Sequence, residues 1–353
     1  MTVVLAGGGT AGHIEPALNL ADELGRIDPS MRVVALGTPK GLESRIVPAR
    51  GYELAMIPPV PLPRRLSKEL FTLPGRSIAA HRQTRAVLRT VGARVVVGFG
   101  GYVSFPAYLA ARSCGIPIVV HEANAKAGLA NRLGARLTAH VAENYEGSLP
   151  HAQRIGCPLR ATIAQLDRRE RRAEALEYFG LADRPTLLAF GGSQGAASIN
   201  AAVREAAPAI LGEGLQILHA VGRGKRSGAS QPGGYAEVEY IDRMDLAYAA
   251  ADLAVCRAGA MTCAELSAVG LPAIYVPYPV GNGEQRFNAA PIVDRGGGLL
   301  VLDQDLVGDR LSRHVRELFG DPRTLPRMGA AAAGYGIRDA AARLADMTLA
   351  AVS

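Results

Sequence analysis

VVLAGGGTAGHIEPALNLADEL, residues 3–24, sets an apolar run against three glycines and then a stretch of helical periodicity. Val3–Ala6 is apolar on both faces, as a strand in a parallel sheet covered by helices must be. Glycines 7, 8 and 9 let successive backbone N–H groups point into one space, with no Cβ to obstruct a ligand. The helix behind the turn adds a partial positive charge of roughly +0.5 at its amino end. Phosphate oxygens suit such a corner. The plainer reading is a tight strand-to-helix crossover. Either reading must also place His13, a titratable ring at the rim.

The plan recurs in TLLAFGGSQGAASIN, 186–200, and a third glycine turn is Gly98-Phe99-Gly100-Gly101. Three such turns in one chain favour a ligand over a mere crossover. Apolar runs at Val3–Ala6, Val33–Leu36, Arg94–Gly98, Ile116–Val120, Thr186–Phe190, Gln216–His219, Leu253–Cys256 and Ala273–Val276 alternate with helical stretches. This predicts an α/β architecture of two doubly wound, Rossmann-like domains facing each other across a cleft. The expected division is 1–160, 161–335 and a carboxyl-terminal helix 336–353 able to lie back on the first domain. Pro158–Ala164 reads as the linker, and the charged run DRRERR, 167–172, as the solvated start of a helix.

The 353 residues, 48% hydrophobic and 20% charged, suffice for two domains with sizeable cores. No apolar run is long enough for a bilayer span, and the lack of a basic leader argues against secretion. Cys114, Cys157, Cys256 and Cys263 form no C-x-x-C pair, which points to a reducing cytoplasm and away from structural zinc. The net charge is +7, and residues 60–94 hold eight Arg or Lys against one acid, Glu69. That local excess equals the excess of the whole chain. It suggests an anionic partner surface more than nucleic acid, with a solvated helix face as the plain alternative.

Two motif matches fail on context. Gly7, Gly9 and Gly12 fit the dinucleotide fingerprint, but that reading needs an acid at the end of the second strand. Leu36-Gly37-Thr38-Pro39 supplies none, which disfavours a nicotinamide cofactor. Gly191-Gly192-Ser193-Gln194-Gly195 satisfies the hydrolase elbow G-x-S-x-G. Only His219 and His314 follow it as bases, and His219 sits inside a predicted strand. A Walker-type phosphate loop is absent too. A diphosphate ligand without a hydride role remains.

GGGTAGH (7–13), GFGGYVSFP (98–106), HEAN (121–124), GGSQGA (191–196) and RAGAMTCAEL (257–266) together resemble, in order, the signature segments of the family 28 glycosyltransferases of the MurG type. The resemblance runs from residue 3 to about residue 300, and its strength lies in the order of all five segments. It implies a GT-B enzyme that transfers N-acetylglucosamine, with inversion, from UDP-N-acetylglucosamine to the C4 hydroxyl of lipid I, giving lipid II of peptidoglycan synthesis. No cofactor or metal is expected: no D-x-D metal motif is read in the chain, and helix dipole and hydrogen bonds would then replace a divalent ion.

On the donor side the resemblance assigns Ser193, Gln194 and Gly195 to the diphosphate and Ile241 to the uracil side. It assigns Ala260, Met261 and Thr262 to donor contact, Glu265 to the ribose diol and Gln285 to sugar hydroxyls. A carboxylate one turn beyond Thr262 accepts two hydrogen bonds side by side, as a vicinal diol requires; a solvated helix acid is the plain alternative. Thr10, Ala11, Gly12, Asn124 and Arg160 align with substrate-contacting positions. Gly8, Gly9, Gly100, Gly101 and Tyr102 form the loops for the acceptor diphosphate. Ala11 stands where the family often has glycine.

His13 is the candidate general base, since an imidazole titrates near neutrality. A helix cap or a diphosphate contact is its alternative role, and Glu122 is the second candidate base. Leu66, Leu70, Phe71, Leu73 and Ile78, interleaved with the basic cluster across 63–89, suit peripheral attachment to the cytoplasmic face of an anionic bacterial membrane. The other readings are a UDP-N-acetylglucosamine 2-epimerase and a non-catalytic UDP-sugar or anionic-lipid binding module.

Overall fold

The computed structural model describes residues 1–58, 73–192, 194–227, 233–280 and 283–352. The chain forms two compact units, Met1–Leu159 with Arg338–Ser353, and Arg160–Ile337.

In the first unit the strands are β1 (Thr2–Gly7), β2 (Arg32–Gly37), β3 (Glu53–Met56), β4 (Val95–Gly100), β5 (Ile118–Glu122), β6 (His140–Glu143) and β7 (Gln153–Arg154). They make one parallel sheet in the order β3-β2-β1-β4-β5-β6-β7. In the second unit β8 (Thr186–Phe190), β9 (Gln216–Ala220), β10 (Tyr235–Val238), β11 (Leu253–Cys256), β12 (Ala273–Tyr275) and β13 (Gly298–Leu300) are parallel in the order β10-β9-β8-β11-β12-β13. Each sheet therefore starts at its middle and winds outward in both directions. The reversals fall between β1 and β4 and between β8 and β11, and ligands of such sheets bind at the carboxyl ends of strands there.

Strand periodicity explains the layering. Val3 and Leu5 point to a core shared with Ala17, Leu20 and Leu24 of helix Ala11–Ile27 and with Leu344 and Ala345 of helix Ala340–Ala350. Val4 and Ala6 point to the opposite core, with Leu88, Ala107 and Tyr108. Each fully buried aliphatic side chain of this kind stabilises by about 1.5–3 kcal/mol. The final helix thus completes the first unit's helical layer.

The charged run 167–172 departs from expectation in part: Asp167, Arg169 and Glu170 are exposed, but Arg168 and Arg172 turn inward. Arg168 is largely buried and donates to the carbonyls of Tyr248, Gly270 and Ala251, where two helices end. Arg172 donates to the Ala250 and Arg184 carbonyls and pairs with Asp252 at 3.3 Å. Orphan carbonyls at helix carboxyl ends attract cations, so these side chains turn inward rather than into solvent. No helix among the described residues is long and apolar enough to cross a membrane.

Candidate active site

The first unit's switch point is built from the loop after β1 and the loop after β4. Thr10, itself extended, caps the helix that follows; Ala11 and Gly12 form its first turn, and Ala11 takes ordinary negative φ there. His13, half-buried, follows. Its Nδ1 lies 3.2 Å from the Gly8 carbonyl and 3.1 Å from Thr10 Oγ1. A carbonyl only accepts, so the proton belongs on Nδ1 and the neutral ring presents its lone pair at Nε2. Nε2 faces Gly100, where an added Cβ would come within 3.1 Å of it. Gly9 borders the exposed Tyr102 ring, and Gly101 passes close over the Gly8 carbonyl.

Glu122, at the end of β5, is 2% exposed and fully engaged. One oxygen accepts from Asn124 N at 2.9 Å and Asn124 Nδ2 at 3.3 Å, the other from Gly128 N at 3.1 Å and Asn131 Nδ2 at 3.0 Å. With both oxygens occupied, Glu122 orders the loop that presents Asn124 and offers no lone pair to an incoming hydroxyl. The neighbouring His121 is fully buried, and desolvation drives its pKa down to about 4, so it stays neutral.

In the second unit a cavity of about 710 Å³ opens at the carboxyl ends of β8 and β11. That volume is ordinary for a small-molecule site. Gly191, Gly192, Gln194 and Gly195 line it, in front of helix Ala197–Gly212, with Gly259, Thr262 and Gln285 on the other side. Ser193 lies outside the described residues. Gln285 Oε1 accepts the Tyr278 backbone N–H at 2.9 Å, which leaves its Nε2 as the free-facing donor. Ala260 and Met261 open helix Ala260–Val269, and Glu265 follows Thr262 by three residues, on the same helical face. Tyr248 Oη donates to Glu265 Oε2 at 2.7 Å, orienting the carboxylate. Ile241 is buried in the loop before helix Met244–Ala250, and Arg160 stands at the start of helix Ala161–Ala164; neither lines the cavity.

His219 also fails as a hydrolase base. It is buried in β9, contacting Tyr235 Oη at 2.7 Å and Asn200 Oδ1 at 3.1 Å, and burial lowers its pKa to about 4.

Four polar side chains of the cavity escaped the sequence reading: Ser198, Arg257, Tyr278 and Asp303. Arg257 donates to Asp303 and, at 2.9 Å, to Ser198 Oγ; it also lies 5.3 Å from the centre of the Tyr278 ring. Arg257 opens a quoted segment, so it was within reach; Asp303 is 105 residues from Ser198 and carries no local signal. Asp303-Gln304-Asp305 is a literal D-x-D triplet, contrary to the expectation that the chain holds no such motif. Asp303 is committed to Arg257 and Ser198, and Asp305 approaches Arg310 at 3.6 Å. Among the described residues no group of three His, Cys, Asp or Glu could hold a metal ion.

Two Rossmann-like units, each opening a glycine-lined corner at its switch point, make up the GT-B architecture. The chain belongs to glycosyltransferase family 28: the family's N-terminal domain matches residues 3–143 and its C-terminal domain residues 186–344. It is 56% identical to the UDP-N-acetylglucosamine--N-acetylmuramyl-(pentapeptide) pyrophosphoryl-undecaprenol N-acetylglucosamine transferase of Acidothermus cellulolyticus, over 98% of this chain and 97% of that protein. The Streptomyces coelicolor protein of the same name is 55% identical over 100% of this chain and 99% of its own length. Among solved structures, Acinetobacter baumannii MurG is 27% identical and superposes with a TM-score of 0.79 over 99% of each chain.

Proposed function

We propose that this protein transfers N-acetylglucosamine from UDP-N-acetylglucosamine to the C4 hydroxyl of the N-acetylmuramyl unit of lipid I, forming lipid II with inversion. The carrying observation is identity above one half, across the full length, to transferases of that printed name. The site residues fit the chemistry.

The Gly191–Gly195 corner, Ser193 included, and the amino end of helix Ala197–Gly212 receive the donor diphosphate and stabilise the charge that grows as UDP departs. Glu265 accepts the ribose hydroxyls, Gln285 reads the sugar, and Ile241 borders the uracil. In the first unit Thr10, Gly12, Asn124 and Tyr102 contact the acceptor, and Arg160 contacts substrate. His13 Nε2 takes the C4 proton as the oxygen attacks the anomeric carbon from the face opposite UDP. His13 is preferred to Glu122 because its lone pair is free while the carboxylate is saturated.

The reaction needs no divalent ion in this scheme. Purified protein given UDP-N-acetylglucosamine and a lipid I analogue in EDTA is expected to yield the lipid-linked disaccharide. N-acetylmannosamine formed without acceptor would instead identify an epimerase, and UDP binding without turnover a binding module. Either product pattern removes the transfer reading.

Peripheral attachment to the cytoplasmic membrane face is part of the same proposal. Ile78, on helix Leu73–Thr90, is 53% exposed, and Arg82 and Arg89 are exposed beside it; Leu66, Leu70, Phe71 and the basic residues 64, 65 and 68 lie outside the described residues. Each basic residue near an anionic surface contributes about 1 kcal/mol. Sedimentation with anionic vesicles should therefore collapse as salt rises, and salt-independent or absent sedimentation removes this part.

A further inference from the structure

We propose that Glu43 is a positioning residue that acts on His13 through the peptide group joining Gly8 to Gly9. Carboxylate, peptide and imidazole then form one hydrogen-bonded relay. The inference rests on the reading of His13 as proton acceptor and adds to it a residue 30 positions away.

The geometry comes from a single peptide plane. Gly9 N donates to Glu43 Oε2 at 3.1 Å, and the Gly8 carbonyl lies 3.2 Å from His13 Nδ1. That N–H and that carbonyl belong to the same trans peptide, so they point in opposite directions. One end meets a carboxylate and the other an imidazole. Glu43 is 1% exposed, and its Oε1 accepts Thr38 N and Thr38 Oγ1, both at 2.9 Å. Among the described residues no cation pairs with it. Burial pushes its carboxyl up, but hydrogen bonds from the backbone of Gly9 and Thr38, from its own N–H and from the Thr38 hydroxyl outweigh burial and keep it ionised.

A negative charge at the N–H end polarises the amide and raises the negative charge on the Gly8 oxygen. Linked hydrogen bonds strengthen one another in this way by about 10–30% per bond. The strengthened carbonyl fixes the Nδ1–H tautomer and stabilises the imidazolium that forms when Nε2 accepts a proton. A carboxylate bonded directly to a catalytic histidine does the same work; here an amide is interposed.

Other ionisable groups border this corner. Tyr102 lies beside Gly9, Glu122 is bonded to Asn131 next to Gly100, and Glu15 on the histidine's own helix pairs with Arg50 at 3.3 Å. His121, its ring 5.6 Å from that of Phe99, is in its neutral form. None of these five groups bonds to Glu43, so their fields cancel when wild type and a Glu43 variant are compared.

Glu43→Gln removes the charge and leaves one acceptor oxygen for the N–H donors of Gly9 and Thr38, so its amide nitrogen faces one of them. The expected result is a fall in kcat of about tenfold or more, an unchanged KM for UDP-N-acetylglucosamine, and an acid limb of the kcat–pH profile displaced to lower pH. A folded variant whose acid limb stays put overturns the relay, because a purely structural role changes the amount of active enzyme and not its titration. His13→Ala separates the two ideas. If that variant turns over normally, the base reading fails; if it is inactive while Glu43→Gln keeps the wild-type limb, only the relay fails. Should Glu43→Gln not fold, ¹⁵N spectra of the wild-type imidazole decide: the Nδ1–H tautomer supports the relay and the Nε2–H tautomer overturns it.

Discussion

His13→Ala is expected to lower kcat by about 10²–10⁴-fold, the usual contribution of a general base, with KM for UDP-N-acetylglucosamine changed by no more than about twofold. The separation follows from where the residue stands. The imidazole sits in the Met1–Leu159 unit, on the corner formed by Gly8, Thr10 and Gly100. Among the described residues, those lining the cavity assigned to the donor all belong to Arg160–Ile337. Removing the ring therefore leaves every donor-lining side chain in place. Isothermal titration of UDP with the variant, beside steady-state transfer to a lipid I analogue, measures both quantities. Turnover within a few-fold of wild type would remove His13 from the chemistry, and a parallel loss of UDP affinity would mean that the substitution had disturbed the fold.

Gly195→Ala should produce the largest structural effect. Gly195 has φ +68°, and a Cβ there would be driven into the Val221 carbonyl. That oxygen cannot retreat, since it accepts Asn200 Nδ2 at 2.8 Å in a buried position. The backbone strain and the overlap together are expected to cost about 3 kcal/mol or more and to weaken UDP binding at least tenfold. Gly192→Ala is the control. Its φ is +85°, yet a Cβ there meets nothing within 4 Å, so only the strain of about 1 kcal/mol applies. Thermal unfolding of the pair reads the difference, and UDP titration is read on Gly195→Ala against wild type, since Gly192 itself lines the donor cavity. Equal losses would show that close approach of Gly195 to Val221 is not what holds the corner.

Much of this was legible in the sequence because the decisive features are local. An apolar run that ends in glycine and continues as a helix dictates strand, turn and helix within about 20 residues, and its recurrence after residue 186 implies a second unit. Both β1 and β8 stand in the middle of their sheets, where burial on two faces demands such uniformly apolar composition. Short strands were missed for the converse reason. β10 contains Glu237 and lies at a sheet edge, and β13 has three residues, so neither carries a clear apolar signal.

The site divides along the same line. Glycine turns and helix starts announce themselves by spacing, and so do the residues attached to them: His13, Gln194, Thr262 and Glu265. Glu43 follows a Gly-Leu pair and looks like any first-turn helix acid; its importance arises only because β2 runs beside β1 and brings residue 43 against Gly9. Arg168 and Arg172 misled for a related reason. A charge run is solvated by default, and only the ends of two distant helices supply carbonyls that draw it inward.

From the sequence alone came the two Rossmann-like halves, the glycine corners and the imidazole at the rim of the first, since strand, turn and helix signals act over a few neighbouring residues. Tertiary structure decided which carboxylates are spent and which ring nitrogen is free: Glu122 is saturated by its own loop, Asp303 is claimed by Arg257, and the Gly8 carbonyl leaves Nε2 of His13 open. Hydrogen-bond partners are chosen by distance in space, whether they lie 46 residues apart, as Arg257 and Asp303 do, or within one loop whose fold sets which groups meet.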